Sequence, residues 1–435
     1  MDPRPLSPLE RWYDVADRIS PLNVVGRLTV HGPVTVPALR DGLDAVQRTH
    51  PLTRVAVGGD GPRPRFVPAR APVPLRVLTG DREPGVVEDE LARRIDSRTG
   101  PLLRAAVVLA EDGSGADLVL TAAHSIADGT TVLSLLQEWV ERAAGTTAPA
   151  RPGVRPTEEL FPAPARGRPG AAAARAKAGR DHADLARHRP ARVEADRIVP
   201  HASRRTGLVR REIAGPALSA LVIACRAAGV SVHGLLGGTL ARVVARESPG
   251  AGCMVLGSPV DFRADLEPPV DRHEVGSFVA TLPTVVDTTG DPWDAAAAIG
   301  DDLAARRARG EHFSMITELG RAAPATPDAA GPFLDRLDRE GPINLCLTNL
   351  GVCAVPDRIG PWDVSGARFA AGISVVGLLV AAVTTHRGVL SIDLTHVEDA
   401  VPAARAARIA DGWLDELTGL VAARRPIAAP AGVAR

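Results

Sequence analysis

A chain of 435 residues is longer than the roughly 250–300 at which a single hydrophobic core stops growing, so two domains are expected. Hydrophobic residues make up 45% and charged residues 23%, the balance of a globular protein rather than a disordered one. The 51 basic and 51 acidic residues cancel, and that argues against a polyanion such as nucleic acid as partner.

In chain order, Asn23 to His31 (NVVGRLTVH) reads as a strand, and Val36 to Thr49 as a helix with Val36, Leu39, Leu43 and Val46 on one face. Leu102 to Ala110 and Asp117 to Ala123 read as two further strands. Thr130 to Arg142 is a helix whose Val132, Leu135, Leu136, Trp139 and Val140 form a buried stripe.

Composition shifts near Gly145. From there to about Arg205 the chain is rich in proline, alanine, glycine and arginine, as an inter-domain linker with a solvated helical part would be. A second set of elements follows. Gly207 to Ile213 is a strand; Pro216 to Ala228 and Val232 to Arg246 are helices. Met254 to Val260, Phe278 to Val286, Leu345 to Thr348, Ile373 to Thr385 and Val389 to His396 are strands. A terminal helix carries Ile409, Trp413, Leu414, Leu417 and Val421. The expected division is residues 1–150, a linker over 151–205, and residues 206–435. Both halves mix strands and helices, an α/β (α+β) chain whose halves would leave a ligand cleft between them.

The chain has one lysine, Lys177, and one tyrosine, Tyr13. Lys177 lies in RAKAG, outside any glycine-rich phosphate loop, and in a polar stretch unsuited to a Schiff base. Cys225, Cys253, Cys346 and Cys353 form no CxxC pair and read as reduced thiols. The opening MDPRPLSPLERW has no apolar signal core, and no uninterrupted apolar run of about 18 residues occurs. The expectation is a cytoplasmic protein without a membrane span. Neither a GxSxG elbow nor a GxGxxG turn is found, which disfavours serine hydrolysis and nicotinamide binding.

The segment DLVLTAAHSIADGTTVLSLLQEW carries the chemistry. A strand ends at His124, a turn follows, and a helix starts near Thr130, with the spacing His-x-x-x-Asp-Gly. Asp128 is placed to cap that helix, and Gly129 permits a tight backbone. An imidazole titrating near neutrality at a strand end can serve as a general base. The competing reading, a satisfied strand-end histidine beside a simple cap, is open on this short pattern alone.

Six landmarks occur in order: RPLSPLERW from Arg4, THPLTR from Thr49, GPLLRAAVV from Gly100, AHSIADG from Ala123, PVDFRADLEPPV from Pro259 and LTNLG from Leu347. With them the chain resembles the condensation-domain superfamily, which includes chloramphenicol acetyltransferase, and within it the polyketide-associated acyltransferases of the phthiocerol dimycocerosyl transferase type. The resemblance covers the chain from about Arg4 to Leu420. The resemblance implies two chloramphenicol acetyltransferase-like subdomains forming a V around a substrate tunnel. It implies that His124 is the catalytic base and that Asp128 holds the loop by pairing with an arginine of the other half, matched here to Arg263. Gly129 would keep the turn tight. Ser125, Thr348 and Asn349 are candidate tunnel residues. The first histidine of the family's HHxxxDG is Ala123 here, which weakens the match to peptide-forming condensation domains.

The reaction so implied moves an acyl group, polyketide or fatty, from a carrier-protein or coenzyme A thioester to a hydroxyl, forming an ester. It needs no metal and no cofactor beyond the phosphopantetheine or coenzyme A of the thioester co-substrate. The expected partners are an acyl carrier protein, or acyl-coenzyme A, and a small-molecule alcohol; the expected state is a monomer. An amide-forming or cyclising condensation enzyme and a non-catalytic carrier-binding module are the alternatives. Of the remaining histidines, His233 reads as a polar or capping residue and His273, with Glu274, as lying near the tunnel wall, while His386 and His396 are expected to face solvent.

Overall fold

A computed structural model describes residues 3–59, 61, 63–80, 85–153, 155–248, 252–373 and 377–423. The N-terminal elements are β1 (Arg4–Pro5), α1 (Pro8–Ile19), β2 (Asn23–His31), α2 (Val36–Thr49), β3 (Val55–Gly58), β4 (Arg65–Pro68), β5 (Leu75–Thr79), α3 (Gly85–Ala92), β6 (Leu103–Leu109), β7 (Gly115–Ala123) and α4 (Gly129–Ala143). The linker contains α5 (Gly167–His188). Then come β8 (Thr206–Ala214), α6 (Gly215–Ala228), α7 (Val232–Ala245), β9 (Cys253–Asp261), β10 (Val279–Asp287), α8 (Pro292–Ala308), α9 (Glu311–Ala322), α10 (Gly331–Glu340), β11 (Leu345–Val352), β12 (Arg358–Ile359), β13 (Trp362–Ala371), β14 (Leu379–His386), β15 (Val389–Val397) and α11 (Ala403–Ala423).

The fold is mixed α/β, built on two six-stranded sheets. The first has the order β12-β13-β2-β7-β6-β5 and the second β10-β9-β11-β14-β15-β8; β1, β4 and β3 form a small third sheet. Local chemistry sets the helix starts. Ser7 caps α1 and accepts from the Glu10 amide, while the Glu10 carboxylate reaches back to the Ser7 amide, with Pro8 at the first turn. Thr35 and Ser231 cap α2 and α7 by accepting from the Ala38 and Gly234 amides.

Each large sheet has its own core. In the first, Trp139 of α4 is fully buried and its indole N–H donates to the Leu39 carbonyl of α2 at 2.7 Å. In the second, Trp413 of α11 donates to Thr239 of α7 at 2.9 Å. Burying both ends of an indole, apolar ring and polar N–H, makes each tryptophan an anchor for a helix pair.

One strand crosses between the halves. β13 pairs antiparallel with β2, from Asp363 opposite His31 to Ala371 opposite Val24, although β11 and β14 on either side of it in sequence both belong to the second sheet. Residues 358–371, placed by the sequence in a C-terminal unit, therefore complete the N-terminal sheet. The strand expected over Ile373 to Thr385 begins at Leu379, and residues 374–376 lie outside the described residues. His386 and His396 do not face solvent. Both are buried, with His386 Nε2 at 3.1 Å from the Val355 carbonyl and His396 Nδ1 at 2.7 Å from the Val401 carbonyl. Lys177 is also buried, on α5, with its ammonium at 2.6 Å from Asp181 and 3.6 Å from Glu318. Salt bridges make that burial tolerable in a helix whose composition reads as solvated. Among the described residues no single helix is long and apolar enough to cross a membrane.

Candidate active site

His124 follows the last residue of β7, and its amide donates to the Leu22 carbonyl between α1 and β2 at 3.3 Å. That places the imidazole where the first sheet ends. It lies against a cavity of about 650 Å³, mostly apolar, lined from both halves and the linker, with Trp12 and Gly129 on one side and Thr348 and Cys346 on the other. The Tyr13 ring of α1 stacks on the imidazole, centroids 4.0 Å apart and planes 14° apart.

Burial lowers the His124 pKa from its ordinary value; the backbone of His124 itself, the Asp128 carboxylate and the Ala127 backbone act in the opposite direction. The imidazole is thus neutral through the physiological range and able to accept a proton. Tyr13 is shifted the other way: burial, with the Asp128 charge adding to it, holds the phenol above its ordinary value, so it stays protonated. Burial likewise pushes the Cys346 thiol up to about 12, so it is an inert, neutral wall of the cavity.

Asp128 is the N-cap of α4, and both oxygens of its carboxylate are engaged. Oδ1 accepts from the Thr131 amide at 2.8 Å and from Arg263 Nη2 at 2.9 Å; Oδ2 accepts from the Phe278 amide at 2.8 Å. Burial alone would raise its pKa, but Arg263 and the two amides outweigh it and the group lies below the usual carboxylate range. Arg263 in turn donates to Thr131 Oγ1 at 2.8 Å and to Asp261 at 2.6 Å, and its guanidinium lies 4.6 Å from the centre of the Phe278 ring. The pair joins α4 of the first half to the loop after β9 in the second.

Gly129 has no left-handed backbone; it is the first residue of α4. A Cβ there would stand 2.7 to 3.0 Å from the Phe369 ring of β13, so the residue is small to admit that ring rather than to tighten the turn. Of the candidate tunnel residues, Thr348 lines the cavity. Ser125 is buried and, like Asn349, outside the cavity wall. Asn349 Oδ1 instead accepts from the Gly351 amide at 2.8 Å and shapes the end of β11. His273 and Glu274 are not in the cavity wall either. They make contacts elsewhere, His273 with Ser134 of α4 at 2.8 Å and Glu274 with Arg151 at the start of the linker at 3.0 Å. His233 meets Ser258 at 3.0 Å. The residues that sequence reasoning missed are Tyr13, Phe278, Cys346 and Phe369. Only Tyr13 stood out in the sequence, as its sole tyrosine.

Comparison with known proteins supports the fold. Residues 203–395 match the family described as phthiocerol/phthiodiolone dimycocerosyl transferase C-terminus. The chain is similar to polyketide synthase associated protein 5 of Mycobacterium tuberculosis, 18% identical over 97% of this chain and 100% of that one, with a TM-score of 0.69. It is also similar in structure to the first condensation domain of the calcium-dependent antibiotic synthetase, 14% identical over 97% and 96% of the two chains, TM-score 0.72. Phosphinothricin tripeptide synthetase PhsC of Streptomyces viridochromogenes is 30% identical over 144 residues, 30% of this chain and only 13% of that much longer protein.

Proposed function

We propose that this chain, a member of the condensation-domain superfamily with a C-terminal half of the phthiocerol/phthiodiolone dimycocerosyl transferase kind, is an acyltransferase that esterifies a hydroxyl with an acyl group taken from a thioester. The observation that carries this reading is a neutral, partly exposed imidazole, His124, facing a largely apolar cavity that both halves enclose.

Acyl transfer or condensation on carrier-bound chains is the chemistry associated with these relatives. Here the His124 imidazole takes the hydroxyl proton as the acceptor oxygen bonds to the thioester carbonyl. The tetrahedral oxyanion collapses, the C–S bond breaks, and the imidazolium returns its proton to the leaving thiolate. General-base action of this kind contributes about 10²–10⁴-fold, and binding both substrates in one cavity supplies the remainder through proximity. Asp128 takes no part in proton transfer, because its lone pairs already face Arg263, Thr131 and Phe278; it holds the loop that presents His124. The apolar lining suits an acyl chain, and the donor is a carrier-protein or coenzyme A thioester.

The test is intact-mass spectrometry of acyl-loaded carrier proteins and acyl-coenzyme A, with short and long chains, mixed with small alcohols and amines. His124→Ala runs in parallel. Ester formed by the wild type and lost in the variant supports the reading. Amide or cyclised product overturns it in favour of a condensation enzyme, and unchanged product in His124→Ala overturns the assignment of the base.

A further inference from the structure

Lys177, the sole lysine of the chain, takes no part in the chemistry proposed above, yet it lies in the wall of the same cavity, as does Asp181 one turn later on α5. The buried residues of α5 are Gly170, Ala174 and Lys177, so an ammonium group occupies a place where methionine or leucine would serve packing. A buried ion pair is often no more stabilising than apolar residues of the same volume, so stability does not account for it.

The ammonium has three N–H donors. One goes to Asp181 Oδ2 at 2.6 Å, while Glu318 Oε2, at 3.6 Å, is beyond hydrogen-bond reach. Two donors therefore have no protein acceptor among the described residues. The arginines contributed to the wall by the linker and α10 are committed or exposed. Arg192 donates to the α10 carbonyls of Leu337 and Asp338 and to that of Gly341; Arg204 is held by Asp338 and the Val199 carbonyl. Arg197 and Arg339 are exposed.

The surroundings limit what those two donors can take. Asp181 offers a ligand no free oxygen, because Oδ1 accepts from Arg306 at 2.8 Å and Oδ2 from Lys177. A cationic group would thus find no acceptor there. An anion is not favoured either: besides Asp181, Arg306 is shared among Asp184, Asp302 and Glu311, and Glu318 stands beside the ammonium itself. A neutral oxygen satisfies the donors without adding charge to this acidic neighbourhood.

We infer that Lys177 is a specificity-determining residue, its free N–H groups donating to a neutral oxygen, hydroxyl or carbonyl, that the acceptor carries at a distance from the hydroxyl that reacts. The apolar wall matches the acyl chain, so the second oxygen belongs to the acceptor, which is a diol or hydroxyketone rather than a plain alcohol. The inference rests on the proposed function for the role of the acceptor, but not for the binding itself.

The experiment is NMR on the whole protein grown with lysine carrying carbon-13 at Cε, in which Lys177 gives the sole lysine signal. Straight-chain alkanediols from butanediol to decanediol are titrated in, beside monoalcohols and hydroxy acids of matching length. At least one diol should shift the signal at concentrations where its monoalcohol leaves it unmoved. The inference is overturned if no diol moves the signal, if the monoalcohols move it equally, or if a hydroxy acid binds more tightly than the diol. Kinetics form the second arm, with the donor that the mass-spectrometric panel selects. Lys177→Met should raise KM for the diol by about ten- to a hundredfold, the scale of a lost charge-assisted hydrogen bond, with kcat little changed. KM for the monoalcohol should stay within about twofold. Asp181 keeps Arg306 in this variant, so no carboxylate is stranded; Lys177→Leu serves if the methionine variant does not fold. An equal change for both alcohols marks Lys177 as structural and overturns the inference. Should no donor and acceptor react, the proposed function fails while the titration still decides whether Lys177 binds a neutral oxygen.

Discussion

Asp128 and Arg263 lie 135 positions apart in sequence, and their side chains meet at 2.9 Å with both buried. Removing one partner of such a pair leaves an uncompensated charge and costs about 3–5 kcal/mol. Asp128→Ala and Arg263→Ala should each destabilise by that order in denaturant unfolding. The double variant should cost less than the sum, because the second change removes a charge the first left stranded.

The same pair sets an acid limit on stability. The Asp128 pKa is depressed in the folded chain, so its contribution is fully present above the unfolded value of about 3.9 and is lost as pH falls through the folded value. Thermal unfolding between about pH 2 and 6 should show a steeper acid loss in the wild type than in Asp128→Asn. Parallel curves for the two proteins would contradict the assignment.

With His124 as the proposed base, its titration should set the acid limb of activity. Burial lowers its pKa below the ordinary 6.5, so the reactive neutral form persists to lower pH than a solvent-exposed histidine would allow. Initial rates should be flat above about pH 6.5 and fall only below it. An acid limb centred above that value would place the titrating group elsewhere.

Gly129→Ala should be harmful for a reason that can be relieved. The added methyl meets the Phe369 ring at 2.7 to 3.0 Å, and overpacking of this kind costs about 1–3 kcal/mol. Phe369→Leu in the same chain should recover most of that loss, measured by thermal unfolding. Failure of the leucine to rescue would mean that the glycine matters through its backbone instead.

Asn349→Ala should leave transfer rates unchanged. Its side chain accepts from the Gly351 amide and does not line the cavity, so the expected cost is stability alone, about 0.5–1.5 kcal/mol. A large fall in kcat at constant stability would return Asn349 to the site.

Much of this arrangement was legible before any coordinates. The helix over Val36 to Thr49 and the strand over Asn23 to His31 carry their own periodicity, and both sit where that periodicity puts them. The loop from His124 to Gly129 announces itself by residue type and spacing. The opening helix Pro8–Ile19 and the strand Trp362–Ala371 did not. The first hides its caps in a proline-rich start, and the second carries Gly366 at positive φ and a register shift between Ser365 and Arg368 that breaks its alternation. Tyr13 and Phe369 reach the site on those two elements, so the ring stacked on His124 and the ring packed on Gly129 were hidden together. Long-range pairing, unlike helix periodicity, leaves no local mark.

The strand exchange between the halves has a consequence for how the protein comes into being. Until Trp362 to Ala371 have been synthesised, β2 has no neighbour on that side, and its N–H and C=O groups stand unpaired along an open edge. The Gly129 end of α4 likewise waits for Phe369. The nascent N-terminal half, His124 included, is therefore a vulnerable intermediate for most of translation, and an N-terminal fragment ending at the linker should be prone to pairing with copies of itself.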